Sequence, residues 1–140
     1  MKRLLYISLI AVGLVAEQTA LADGRRAANV RAAVARLRPK VDALRSRFTH
    51  RQIEVFKKHQ IESWRLGNWQ LFLAFSVPRE VREVVHVERG VRWASRANRY
   101  LNLAEHRAEI GRWGAMGLVR KAERAMGRMK AIEARLDSAP

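Results

Sequence analysis

Apolar residues recur along this chain in two matched runs. Val30, Val34, Leu37, Val41, Leu44 and Phe48 follow one another at intervals of 4, 3, 4, 3 and 4 residues, and Leu118, Ala122, Ala125, Met129, Ile132 and Leu136 repeat the same intervals. That alternation places six side chains on one stripe of an α-helix, the pattern of a helix that packs lengthwise on another. The two stripes are expected side by side, parallel or antiparallel, in an all-α bundle whose first and last helices are heptad-patterned. Ala122 and Ala125 would permit close approach there. A homodimer formed through either stripe is the alternative arrangement.

Between the two runs the signals are local. Pro39 lacks a backbone donor and disfavours helical geometry at the residue before it, so a kink, or two helices meeting near Arg38, is expected. Thr49 and Gln52 have the spacing of a capping box, with Phe48 and Ile53 placed for a hydrophobic staple, which predicts a new helix from His50. Ile53, Phe56, Ile61 and Trp64 continue it, and Gly67-Asn68 supplies a left-handed stop. Trp69 to Val77 is strongly apolar, but a strand there would have nothing to pair with. It reads as a short buried helix or core-filling connector. Pro78 suits the first turn of the next helix. That stretch carries Val81, Val84, Val91, Ala94, Leu101 and Ala108 and reads as one helix or two, with Gly90 and Asn98 or Asn102 as the candidate breaks. Gly111, Gly114 and Gly117 then mark a turn around Trp113. The sum is a small bundle of about 4–5 helices.

The first 22 residues read differently. Lys2 and Arg3 precede an apolar run from Leu4 to Ala16, and Ala20-Leu21-Ala22 offers a small-x-small cleavage site before Asp23, the order of a secretory signal peptide. The run is about 13 residues, against the roughly 20 a membrane span needs. Cleavage after Ala22 predicts a periplasmic or secreted domain of residues 23–140. Cys is 0, so neither disulfides nor cysteine chemistry is available to it.

Charge is the strongest compositional feature: 28 Lys+Arg against 13 Asp+Glu, a net of +15, of which +14 remains after residue 22. Such a surplus attracts polyanions, which outside the cytoplasm means anionic lipid, acidic wall polymer or DNA. The excess is greatest from Asp23 to Arg51. Nine basic residues, among them Arg31, Arg38, Lys40 and Arg45, meet only Asp23 and Asp42 there, a local +7. These four are the candidate contacts for an anion or a protein partner. A second cluster, Arg79 to Arg99, is interrupted by Glu80, Glu83 and Glu88. No ring interleaves with the first cluster except Phe48, which belongs to the apolar stripe.

The residues for catalysis do not assemble on paper. His50, His59, His86 and His106 contain no pair at the spacing that would share a metal ion, and Met116, Met126 and Met129, though soft donors, read as packing residues, since Met129 belongs to the core stripe and Met126 flanks it. The glutamates sit at helical spacing from arginines, as solvated ion pairs do. Gly114-Ala115-Met116-Gly117-Leu118 is similar to the Gly-Ala-x-Gly-Leu segment of lytic transglycosylases, but Asn102 stands near where that family's catalytic Glu would be, and the likeness ends there. A non-enzymatic binding protein without metal or cofactor is expected.

Phe48-Thr49-His50-Arg51-Gln52 also resembles the Leu-Thr-x-x-Gln motif of the small periplasmic helical stress proteins of the Spy and CpxP type. Leu101-Asn102-Leu103-Ala104 partly echoes their second copy, without its Thr and Gln. The resemblance implies an exported, ATP-independent chaperone-like protein whose concave basic helical surface shields an unfolded client. A helical accessory subunit of an envelope or secretion assembly, binding a protein partner through its heptads, is a further expectation.

Overall fold

The computed structural model describes the backbone of residues 2–59 and 79–138 and the side chains of residues 22–58 and 82–138. These residues form an all-α bundle of three helices: α1 (Lys2–His59), α2 (Arg79–Glu109) and α3 (Ala115–Ser138). The connector expected at 69–77, the Gly67-Asn68 stop and Pro78 lie outside the described residues. Among the described residues no helix is long and apolar enough to cross a membrane.

Both heptad stripes face the core. Val30, Val34, Leu37, Val41, Leu44 and Phe48 are all buried, as are Leu118, Ala122, Ala125 and Met129. Ile132 and Leu136 are half-buried against Leu44, Phe48 and their neighbours. Between them α2 contributes Val84, Val87, Ala94, Ala97, Leu101, Ala104 and Ala108. The core is asymmetric in size: Val, Leu and Phe come mainly from α1, while α2 and α3 meet largely through alanines.

Side-chain pairs set the directions. Lys58 meets Glu83 and Arg38 meets Glu105, so α1 and α2 run antiparallel. Arg36 meets Glu123, Arg47 meets Glu133 and Arg51 meets Asp137, so α1 and α3 run parallel. The first and last helices therefore lie side by side in the parallel sense, with α2 running against both.

Two boundaries differ from the sequence expectation. No helix begins at His50: α1 is continuous through Thr49, whose hydroxyl donates to the Arg45 carbonyl one turn back at 2.9 Å. The stripe explains this, since Val55, seven residues beyond Phe48, is buried and carries the heptad across the supposed cap. Ile53, the staple residue, is instead exposed. Nor does Pro39 divide the helix. It lies on the exposed side of α1, as does Ala35, whose carbonyl loses its helical N–H partner. An interior proline costs about 3 kcal/mol, an amount a long buried stripe can absorb.

Likewise α2 is one helix across Gly90, Asn98 and Asn102. Gly90 is a packing device: a methyl group there would overlap the Phe48 ring, so the missing side chain is the hole that ring fills. The α2–α3 turn is closed by Gly111 at φ +67°. The Gly111 N–H donates to the Ala108 carbonyl at 3.3 Å and the Arg112 N–H to the Arg107 carbonyl at 2.8 Å, the paired bonds of a Schellman motif. Gly114, at φ +85°, accepts from the Leu118 N–H and opens α3.

Candidate anion-binding surface

The bundle sorts its charges by seam. All three acidic residues of α3, Glu123, Glu133 and Asp137, pair with arginines of α1. The Arg47–Glu133 bond is bidentate, at 2.6 and 3.1 Å. On α2, Glu105 and Glu83 turn to Arg38 and Lys58 of α1, and Glu88 to Arg92 one turn along its own helix. None of these ion pairs joins α2 to α3.

That remaining seam is built from three lines at heptad spacing. His86, Trp93 and Tyr100 form one; Arg82, Arg89 and Arg96 form the second beside it on α2; Lys121, Arg128 and Arg135 form the third on α3. Residues seven apart on a helix rise about 10.5 Å, so each line runs along the bundle for about 21 Å. The aromatic line interleaves with both cationic lines. Arg96 and Arg128, one from each helix, lie over the Trp93 ring at 4.7 and 4.4 Å, and the Lys121 ammonium lies 6.0 Å from the Tyr100 ring. Trp93 and Tyr100 are half-buried, packing against the core while holding those cations. Stacking on a ring fixes long side chains that would otherwise be free, so these cations are partly ordered before anything binds.

His86 reads the local field. Its pKa is pushed below the usual 6.5, first by burial and then by Arg89, Arg135 and Arg82. These three arginines come from both helices, and among the described residues no carboxylate offsets them on this imidazole. At the flanking positions of a helix pair, opposite charges ordinarily face one another across the seam. Here like charges do, at a cost in stability that bound anions would relieve.

The four residues singled out on α1 have separate fates. Arg38 is committed inside the protein: its guanidinium donates to Asn98 at 3.3 Å, Asn102 at 2.9 Å and Glu105 at 2.9 Å. The two asparagines that looked like helix breaks are thus acceptors for one arginine. Arg31 and Lys40 are exposed, and Arg45 is exposed beside a shallow groove with Ser95, Asn98, Arg99, Asn102, Leu103 and His106. Of the nine cations that gave this segment its local +7, Arg26, Arg36, Arg38, Arg47 and Arg51 are in ion pairs.

The α2–α3 lines were readable in principle. The interval of 4 and 3 that marks the apolar stripes also links Arg82, His86, Arg89, Trp93, Arg96 and Tyr100. Pooling Arg79 to Arg99 with its glutamates hid the pattern, because a helix turns the two sets to different sides. Comparison with family models, curated proteins and solved structures finds no match.

Proposed function

We propose that this protein is an exported, non-enzymatic binding protein that attaches to polyanions through the α2–α3 seam, working in the periplasm or outside the cell after removal of residues 1–22. The supporting observation is the sorting of charge. Six cations and three half-buried or ring-stacked side chains occupy one straight surface, while every acidic residue of α3 is spent on α1. Contacts would be to phosphates or other acidic groups and would carry little sequence information. The chaperone-like role implied by the resemblance needs a broad exposed apolar surface, and among the described residues the heptad stripes are consumed within the bundle, which leaves large apolar side chains exposed mainly at the α2–α3 turn. Charge is therefore the preferred basis for binding.

The test is binding of a DNA duplex, an anionic vesicle and an unfolded client, each at 50 and 200 mM salt. Six phosphate contacts predict about a 10³-fold loss of duplex affinity between the two conditions. Neutralising Arg89, Arg96 and Arg128 together with glutamine should reduce the log–log salt slope by about 3, whereas neutralising Arg31, Lys40 and Arg45 should leave it close to wild type. The reverse outcome would move the binding face to α1. Salt-resistant binding of the unfolded client alone would replace this reading with the chaperone-like one.

A further inference from the structure

Among the described residues the large apolar side chains left exposed are Ile53, Leu103, Ile110, Trp113 and Met116. Three of the five, Ile110, Trp113 and Met116, gather at the α2–α3 turn. Trp113 is the extreme case, 81% exposed on a turn fixed by two left-handed glycines. A solvated turn has no need of an indole, an isoleucine and a methionine within seven residues, and such clusters mark contact sites.

The turn is also ringed by cations. The Arg26 guanidinium of α1 lies over the Trp113 ring at 4.7 Å, and Arg107 reaches beside Gly114. Arg112 lines the same cleft as Arg26, Trp113 and Met116. The stripe that carries Trp93 and Tyr100 continues at the same intervals through Leu103, Arg107 and Ile110 to this end. The cationic seam therefore leads along α2 toward the apolar tip, with Arg107 between them.

We infer that the α2–α3 turn enters the interface of an anionic lipid bilayer, Ile110, Trp113 and Met116 reaching the acyl boundary while Arg107, Arg112 and the seam contact lipid phosphates. This inference rests on the anion-binding reading of the seam and names its source as lipid. Indole prefers the headgroup boundary, where its ring is shielded and its N–H stays wet, and arginine keeps its head in water while its stem covers apolar surface. A nucleic acid or wall polymer would match the charges and leave the apolar tip without a partner. On Trp93 it would also find the ring already covered by two guanidiniums, which leaves little face for a base to stack on.

The chain holds no cysteine, so Met116→Cys and, as a control, the exposed Ala131→Cys each place a single environment-sensitive fluorophore on the full protein. With vesicles one-third phosphatidylglycerol at about 0.1 M salt, the label at 116 is expected to brighten several-fold and shift to the blue, and the label at 131 to stay aqueous. On pure phosphatidylcholine neither should change. Trp113→Ser should weaken vesicle binding roughly tenfold and leave duplex binding as it was. A label at 116 that stays aqueous while the protein sediments with anionic vesicles overturns the insertion and leaves the charged seam in place. Equal brightening on neutral vesicles, or brightening with an unfolded client instead of lipid, also overturns it. Failure to bind either vesicles or duplex at low salt overturns the seam reading itself, and the insertion with it.

Discussion

Replacing Gly90 with alanine is a sharp test of how α1 seats on α2. In an open helix position Gly→Ala stabilises by about 1 kcal/mol, because alanine loses less backbone entropy on folding. Gly127 is such a position: it is exposed in α3, and a methyl group there meets nothing within 4 Å. Gly90 has the same helical backbone, but its added methyl would land on the Phe48 ring, which is fully buried and has no room to retreat. Overpacking of this kind costs about 1–3 kcal/mol beyond the propensity gain. Urea unfolding followed by circular dichroism should therefore move in opposite directions, with Gly127→Ala raising the midpoint and Gly90→Ala lowering it. Phe48→Leu should recover part of the loss in the double variant, since the smaller side chain vacates the overlap, and the shortfall from additivity measures the contact. If Gly90→Ala stabilises as much as Gly127→Ala, Phe48 does not sit over Gly90 and the register of α1 on α2 is other than described.

Arg38→Met should lower stability by about 1 kcal/mol, a modest amount because the guanidinium is 33% exposed and its pair with Glu105 is screened; an unchanged midpoint at low salt would remove the network from the account of register. His86 should titrate below an unfolded histidine in NMR, since burial and then Arg89, Arg135 and Arg82 disfavour its charged form. Its contribution to stability is accordingly full above 6.5 and declines as pH falls through that value toward the depressed folded one. Adding a polyanion should raise its titration midpoint, and a midpoint that stays put would separate His86 from the binding face. Gly114→Ala should cost about 1 kcal/mol through its left-handed backbone, φ +85°, and be read in the same unfolding experiment.

The parts of this fold legible in the sequence were those where one physical effect dominates. The apolar stripes of α1 and α3 came through because burial of six side chains at regular spacing outweighs local preferences. Thr49–Gln52 and Pro39 misled for the same reason: each is a local signal worth one to a few kcal/mol, set against a stripe that runs on to Val55. Gly90, Asn98 and Asn102 looked like weaknesses in α2 and are instead the receptors for Phe48 and Arg38, partners some 40 to 60 residues away that no local window contains. The candidate site shows the same division. Counting charges along the chain pointed to α1, but which cations are free depends on where the acids of α2 and α3 turn.

The pairing of α1 has a temporal consequence. Apart from Arg26, its paired arginines find their partners at separations of 60 to 87 residues, on helices made last, whereas α2 and α3 are joined by a short turn and meet at once. A chain that emerges from its N-terminus therefore presents the stripe from Val30 to Val55 uncovered until most of the protein has followed. With no disulfide to hold an early intermediate, that interval is when this protein most needs shelter.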